Sequence, residues 1–330
     1  MKFTEKVLTI SKKIEKSYNI IITSHISPDG DAIGSMLGLH YFIKKKFNKK
    51  STMFINGGIN NNLKFLEGSD DILRYDDRLM ENIIAADLIF VLDLNDLKRL
   101  KEAGDAVSMS NAYKIMIDHH IEPKGFADLE LLDTNATSTG ELVFKLIESL
   151  NGKFDKRISN ALYTAIMTDT GSFRFERTTA FTHQMIAKLI DNGAEPVKCY
   201  DEIYNQKTVQ AMKLLGTSLV NMDLFCEGRV SVMSLRKIDF DRADAIEDDT
   251  EGFVANTLSI KGVEVGVLIT EREKGELRIS FRSKGRYSVR ETASKFGGGG
   301  HKFAAGARTL NQEFEDVKNK IVSELSNLFI

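Results

Sequence analysis

The chain has 330 residues, of which 42% are hydrophobic and 28% are charged, and its formal net charge is −2. This composition is typical of globular proteins, and the length is sufficient for two domains with separate cores. The nearly balanced charge excludes a global basic field, so we expect no binding to long duplex nucleic acid. Any nucleic-acid partner should be a short single strand or a nucleotide.

The cysteines and the N-terminus bear on the compartment. Cys199 and Cys226 are the two cysteines of the sequence, and their spacing forms neither a CxxC pair nor a disulfide framework, which indicates a reducing environment. The first six residues carry charges where a signal peptide has an apolar core. No apolar run approaches the ~20 residues that a membrane span needs. We therefore expect a cytoplasmic protein that does not bind membranes.

The first half of the sequence alternates between predicted helices and strands. The spacing of apolar residues predicts helices at 3–17, 31–46, 138–150, 156–168 and 179–191. Apolar runs predict strands at 20–23, 52–55, 88–92, 113–117 and 128–132, the last at a sheet edge. This alternation predicts an α/β fold with a doubly wound, mainly parallel sheet.

The pattern changes in the second half. Residues 197–222 read as one helix, broken if anywhere near Gly216. After it come predicted strands at 229–235, 263–270 and 276–282 and predicted helices at 250–260, 289–296 and 312–328. We expect a first domain at 1–194, a helical connector at 195–228 and a smaller α+β domain at 229–330.

Acidic and histidine side chains follow several predicted elements of the first domain. They are His25, Asp29 and Asp31 after the first strand, Asp93 after the third, Asp118, His119 and His120 after the fourth, and Asp169 at a helix end. The carboxyl ends of parallel strands share one crevice, so we expect these side chains to form one site. Taken alone, the loop 28–31 is as compatible with a solvated turn that caps the next helix as it is with a functional site. Two adjacent histidines after a buried strand have little packing reason to be there.

The combined set of side chains favours a metal site. Imidazole and carboxylate ligands without a thiolate suit Mn²⁺ better than a structural Zn²⁺. Even two of these histidines and four of these carboxylates are too many ligands for one ion, but that number fits two ions that share a bridging carboxylate. Paired ions about 3.5–4 Å apart are a known device for displacement at phosphorus. The sequence therefore predicts metal-assisted phosphoester hydrolysis.

These motifs, in their order, resemble the four motifs of the DHH phosphoesterase superfamily, and residues 297–306 resemble the signature of its DHHA1 substrate domain. The resemblance implies two Mn²⁺ per chain, with Mg²⁺ or Co²⁺ as substitutes. It assigns one ion to His25, Asp29 and Asp93, and the other to Asp31, Asp93, His119 and Asp169, with Asp93 bridging. It also implies that His120 contacts the scissile phosphate or leaving group and that Asp118 supports the site. Asn95 departs from the small hydroxyl residue that the second motif leads us to expect.

The glycine run 297–300 permits two interpretations. Four glycines alone would indicate a helix end that runs into a flexible linker. However, His301 and an Ala-Ala-Gly turn follow directly, and glycines let backbone N–H groups converge on a phosphate. The end of the strand 276–282 also offers a guanidinium and a hydroxyl. The substrate-binding residues predicted here are Arg282, Ser283, Gly298, Gly299, Gly300 and His301.

The domain content narrows the expected function. The glycine-rich signature argues against family II pyrophosphatases, and 330 residues leave no room for the additional domain of RecJ-type exonucleases. What remains is similar to stand-alone NrnA-type enzymes, which implies hydrolysis of short oligoribonucleotides to mononucleotides and of 3′-phosphoadenosine 5′-phosphate (pAp) to AMP. A stand-alone phosphodiesterase of cyclic-di-AMP or pApA is the alternative. A non-catalytic nucleotide sensor is disfavoured because the ligand set is intact. The oligomeric state stays open, with a homodimer among the options.

Overall fold

The structure is a computed structural model, and it describes residues 2–329. The chain forms two compact units that divide between Gln206 and Lys207. Within the described residues, no helix combines the length and the apolar character that crossing a membrane requires.

The first unit is built around a six-stranded sheet. Its strands are β1 (Ile20–Ser24), β2 (Ser51–Ile55), β3 (Leu73–Arg74), β4 (Leu88–Leu92), β5 (Tyr113–Asp118) and β6 (Leu129–Leu132). They lie in the order β3-β2-β1-β4-β5-β6, and every neighbouring pair is parallel. The strand order reverses between β1 and β4. Such a topological switch point is where doubly wound sheets bind ligands. The predicted doubly wound parallel sheet is confirmed.

Helices cover both faces of this sheet. They are α1 (Phe3–Lys16), α2 (Gly30–Phe47), α3 (Asp77–Ile84), α4 (Glu102–Met109), α5 (Thr139–Ser149), α6 (Lys156–Asp169), α7 (Ala180–Asp191) and α8 (Pro196–Tyr204). Short 3₁₀ turns occur at Asn61–Leu63, Ser69–Asp71 and Leu97–Leu100. Ile20 and Ile22 of β1 face one core, and Ile21 faces a second core on the opposite side. Burial on both faces explains the unbroken apolar runs of the central strands.

The packing of α2 against α6 is unusually close. A Cβ atom on Gly34 would lie 2.3 Å from the carbonyl oxygen of Ala161 and 2.9 Å from the Cβ of Ala165. A glycine is therefore required where the two helices touch. This contact matters for the site, because α2 carries Asp31 in its first turn and α6 ends at Asp169.

The second unit contains a mixed six-stranded sheet. Its strands are β7 (Met222–Phe225), β8 (Val230–Leu235), β9 (Val265–Glu273), β10 (Glu276–Ser283), β11 (Gly299–His301) and β12 (Ala304–Thr309). The order is β11-β12-β10-β9-β8-β7, with β8 and β9 parallel and the other pairs antiparallel. The helices are α9 (Val209–Val220), α10 (Lys237–Ala243), α11 (Phe253–Thr257), α12 (Arg290–Lys295) and α13 (Phe314–Ser326), with 3₁₀ turns at Glu247–Thr250 and Asn327–Phe329. The prediction of a smaller α+β domain is confirmed.

The predicted continuous helix over 197–222 is wrong. The helix α8 ends at Tyr204, and α9 begins at Val209 after the Thr208 hydroxyl has accepted a hydrogen bond from the backbone N–H of Ala211. This N-cap starts a new helix in the second unit. The expected break at Gly216 does not occur, because Gly216 lies inside α9.

Two further expectations for the second unit are wrong. The helix predicted at 250–260 is reduced to Phe253–Thr257, preceded by a 3₁₀ turn. The sequence Ala304-Ala305-Gly306 is not a turn but the start of β12, which pairs with both β10 and β11. Small residues in a strand carry no apolar alternation, so this strand escaped the sequence pattern.

We predict that Gly34→Ala lowers the free energy of unfolding of the first unit by about 1–3 kcal/mol, because the added methyl group overpacks the contact between α2 and α6. Gly216→Ala is the matched control. Gly216 is also helical, but a Cβ there meets nothing within 4 Å, so the same change should stabilise by up to about 1 kcal/mol through helix propensity. Urea unfolding of both variants is the measurement. Equal effects of the same sign would contradict the close approach.

Candidate functional site

The side chains predicted from the sequence meet at the carboxyl edge of the first sheet. Five of them lie on or after β1, β4 and β5, and the other three lie at the start of α2 and the end of α6. The described residues contain three overlapping groups whose ligand atoms lie within 4.8 Å of one another and could hold a metal ion. These groups are His25 with Asp29 and Asp93, Asp31 with His119 and Asp169, and Asp93 with His119 and His120.

Asp93 lies at the centre of the cluster. Its Oδ2 is 3.2 Å from Nε2 of His25, and its Oδ1 is 3.6 Å from Nε2 of His119. The backbone of Asp93 has a φ of 56°, in the left-handed region that L-residues seldom adopt. Its N–H donates to the carbonyl oxygen of Ile117, which extends the pairing of β4 with β5 and fixes this conformation. Backbone strain of this kind is concentrated at functional sites.

Asp31 is held by the beginning of another helix. The N–H groups of Thr139 and Gly140 donate to its two carboxylate oxygens at 2.7 and 2.8 Å, and Ser35 donates a third hydrogen bond at 3.2 Å. The first turn of α5 therefore acts as a helix N-terminus that binds an anion. Asp31 is only 1% exposed, so these donors replace the water that its carboxylate loses.

Thr139 and Gly140 are site residues that the sequence did not reveal. The Thr139 hydroxyl also donates to Asp93, at 3.2 Å. In the structure the hydroxyl of Thr137 donates to Glu141, and the hydroxyl of Ser138 caps α5. The sequence feature that could have indicated these donors is the predicted helix start near 138, because the first N–H groups of a helix are free to bind an anion.

Asp118 organises the two histidines that follow it. It is fully buried, and its Oδ1 accepts hydrogen bonds from the N–H groups of His119 and His120. The same oxygen lies 2.7 Å from Nδ1 of His120. Burial disfavours a proton on the His120 ring, but this hydrogen bond and the nearby carboxylates outweigh burial and raise its pKa. Asp118 thus fixes the orientation of the ring rather than joining the three metal-binding groups.

The carboxylates of the cluster repel one another. Burial raises the pKa of Asp169 to about 7, and the charges of Asp93 and Asp29 add to this effect. Burial and the charges of the same neighbours also raise the pKa of Asp31 well above its usual value. For Asp93 burial also opposes ionisation, but the hydrogen bond from His25 and the other histidines outweigh it and lower the pKa. The cluster as a whole is therefore short of positive charge.

The predicted substrate residues lie in the second unit. Arg282 and Ser283 end β10, and Arg282 makes no ion pair with a carboxylate among residues 2–329. Its guanidinium donates only to the carbonyl oxygen of Phe281, at 2.9 Å, and burial lowers its pKa. A partly buried guanidinium without a counter-charge is suited to bind an anion.

The glycine run is a hairpin rather than a flexible linker. The N–H groups of Gly297 and Gly298 donate to the carbonyl oxygens of Ser294 and Ala293. These two N–H groups are therefore already paired within the chain. Gly298 is needed for another reason, since a Cβ there would lie 2.1 Å from the carbonyl oxygen of Gly306. Residues 299–301 form the edge strand β11.

Comparisons with known proteins agree with this architecture. The DHH family, N-terminal domain, matches residues 19–170, and the DHHA1 domain matches residues 229–329. The "Bifunctional oligoribonuclease and PAP phosphatase NrnA" of Thermus thermophilus is 31% identical over 93% of this chain and 90% of its own length. The protein of the same name from Bacillus subtilis is 28% identical over 94% of each chain.

Solved structures show the same fold. An exopolyphosphatase-related protein from Bacteroides fragilis is 33% identical and superposes with a TM-score of 0.90, covering 98% of this chain and 97% of that one. RecJ from Thermus thermophilus shares the fold at 12% identity, with a TM-score of 0.56 over 98% of this chain and 55% of RecJ. The chain belongs to the DHH family of phosphoesterases. The family and the enzyme class predicted from the sequence are confirmed.

Proposed function

We propose that this protein is a two-metal, Mn²⁺-dependent hydrolase of short oligoribonucleotides and of pAp. The observation that carries the proposal is the set of three overlapping ligand groups joined by Asp93 and His119. The relatives from Thermus thermophilus and Bacillus subtilis, which align over almost the whole chain, are named for these two activities. The products would be mononucleotides from the oligonucleotide and AMP from pAp.

The residues of the cluster fit divalent cations. Burial and mutual repulsion raise the pKa of Asp31 and Asp169, and a cation between them would remove that penalty. Imidazole and carboxylate donors without a thiolate suit Mn²⁺. In our assignment, one ion is held by His25, Asp29 and Asp93, and the other by Asp31, Asp93, His119 and Asp169.

The surrounding residues supply orientation and a proton. When bound, the ions provide an activated water near neutral pH and polarise the phosphoryl oxygen. His120 contacts the scissile phosphate or the leaving oxygen, and the carboxylate of Asp118 keeps its ring oriented and favours its protonated form. Asp31 keeps its position because the first turn of α5 binds it.

The second unit would select the substrate. We assign catalysis to residues 1–194 and substrate binding to residues 229–330, with 195–228 between them. Arg282, Ser283 and the hairpin residues Gly298–His301 would bind the non-reacting phosphate or nucleoside. The alternative substrate is cyclic-di-AMP or pApA, because the "Cyclic-di-AMP phosphodiesterase GdpP" of Geobacillus thermodenitrificans aligns with 96% of this chain at 25% identity. This chain covers 48% of that relative.

A substrate panel tests the proposal. With Mn²⁺ we expect hydrolysis of pAp and short oligoribonucleotides, and we expect EDTA to abolish it. Mn²⁺ should restore activity better than Mg²⁺ because imidazole ligands favour the softer ion. The panel also contains cyclic-di-AMP, pApA and pyrophosphate, and product formation is measured for each. Preferred turnover of cyclic-di-AMP would favour the alternative. Nucleotide binding without turnover would indicate a sensor, and full activity after exhaustive chelation would refute the metal site.

Replacement of Asp93 tests the bridging assignment. Asp93→Asn removes a charge shared by both ions, so we expect fewer bound Mn²⁺ per chain and a loss of turnover greater than that of the control. The control is Asp118→Asn, which changes a buried carboxylate outside the three ligand groups and should cost about 10–100-fold in metal affinity or activity. Elemental analysis gives the metal content. Two bound ions and near-normal turnover in Asp93→Asn would show that Asp93 does not bridge.

Replacement of Arg282 tests the role of the second unit. Arg282→Ala removes a charge-assisted contact worth about 1.5–3 kcal/mol, which is roughly a ten- to hundred-fold loss of kcat/KM for pAp and short oligonucleotides. Bis-p-nitrophenyl phosphate lacks the second phosphate and the nucleoside, so its hydrolysis should change little. Arg278→Ala is the matched control, because Arg278 lies on the same strand but is already paired with Glu247 at 2.9 Å. Equal losses on all substrates would assign Arg282 to folding or to the chemical step.

A further inference from the structure

We propose that the first unit has its own nucleotide-recognition surface beside the metal-binding cluster. The rings of Tyr200, Tyr204 and Phe175 would stack with a nucleobase, and Arg174 and Arg177 would bind a phosphate of the same nucleotide. We call these five residues the stacking surface. The inference rests on the proposed function and adds the part of the catalytic unit that would recognise a base.

The three rings are exposed to solvent. Phe175 is 54% exposed, Tyr200 is 44% exposed and Tyr204 is 37% exposed. Tyr200 and Tyr204 are four residues apart on α8 and therefore lie on the same side of that helix. Their ring centres are 5.0 Å apart. Exposed aromatic rings close to cationic side chains are the usual platform for bases of single-stranded nucleic acid.

The backbone after Asp169 holds part of this surface in place. Gly171, Ser172 and Phe173 all have positive φ values, of 55°, 59° and 66°, and reverse the chain directly after α6. The ring of Phe175 packs on Gly171, where a Cβ atom would lie 2.4 Å from it. Nε of Arg174 donates to the carbonyl oxygen of Gly171 at 2.7 Å. These contacts hold the side chains of Arg174 and Phe175 against Gly171, close to the end of α6 at Asp169.

Tyr204 connects α8 to the same segment. Burial raises the pKa of its hydroxyl, and Ser172, Arg174 and Asp169 lie close enough to influence it. The guanidinium of Arg174 is also 6.0 Å from the centre of the Phe175 ring. Arg174 therefore lies near both the tyrosine pair and Phe175, and the whole surface borders a proposed metal ligand.

The charges of the surface favour an anion. Neither Arg174 nor Arg177 forms an ion pair with a carboxylate in the described part of the chain, and the segment 171–177 contains one acidic residue, Glu176. The charge of Arg177 lowers the pKa of Asp169 against the larger effect of burial, so it lies near the cluster. Two guanidinium groups that form no such ion pair, close to aromatic rings, match a nucleoside monophosphate, which combines a phosphate with a flat base.

The sequence contains no tryptophan, so Tyr200→Trp introduces a single fluorescent reporter at the surface. We expect AMP to quench its fluorescence with a saturable dependence on concentration, because the base stacks on the indole. Ribose 5-phosphate carries the same phosphate without a base and should not quench. Tyr18→Trp is the matched control, since Tyr18 also belongs to the first unit and is 88% exposed. It should show no response to AMP.

Kinetics provide an independent readout. On a short oligoribonucleotide, Tyr200→Leu should lower kcat/KM by roughly five- to a hundred-fold, the range that a lost stacking contact accounts for. Tyr200→Phe keeps the ring and should stay within about two-fold of the wild type, since it retains the π-face that stacks. On the same oligonucleotide with an abasic residue at the stacked position, all three proteins should differ little.

The outcomes separate this inference from the proposed function. If the wild type hydrolyses no nucleotide but AMP quenches Tyr200→Trp selectively, the function fails and the surface stands. If the wild type is active but AMP quenches neither reporter, or both equally, the surface is refuted. A fluorescence change that follows protein concentration instead of AMP would show that a second copy of the chain covers these rings, which also refutes it.

Discussion

The structure of the first unit depends on one electrostatic constraint, the convergence of several carboxylates, two of them buried, at one edge of the sheet. Asp31 and Asp93 are almost fully buried, and like charges at such a position disfavour ionisation of each other. The first turn of α5 compensates part of this cost with two backbone N–H groups. The elements that border the cluster each contribute at least one donor or ligand to it.

The same constraint links metal binding to stability. Carboxylates that are hard to ionise together make the unliganded unit less stable than its apolar cores would allow. A cation that binds the folded form alone adds stability in proportion to its concentration relative to Kd. The close contact at Gly34 serves this arrangement, because α2 and α6 carry Asp31 and Asp169, whose carboxylates lie 3.8 and 3.3 Å from Nε2 of His119.

Much of the site could be predicted because its ligands follow apolar runs, and a parallel sheet brings the ends of such runs together. The donors of α5 were missed because a backbone N–H leaves no trace in residue type, as at Thr139 and Gly140, and the predicted helix start near 138 was the one indication of them. Similarly, the apolar spacing of α8 continues into α9, and the cap at Thr208 that separates them depends on one hydroxyl. The strand β12 was missed because Ala-Ala-Gly resembles a turn. Its partners gave no further indication, because β10 is distant in sequence and β11 consists of two glycines and one histidine.

The left-handed backbone of Asp93 restricts which residues selection can place there. Glutamate also ligates metals, but it adopts a φ of 56° less readily than aspartate or asparagine, whose short side chains can hydrogen-bond locally. Asparagine keeps the shape and loses the charge. Under the proposed bridging role of Asp93, a saturation library at this position would therefore retain folded proteins with either residue, yet active ones with aspartate alone.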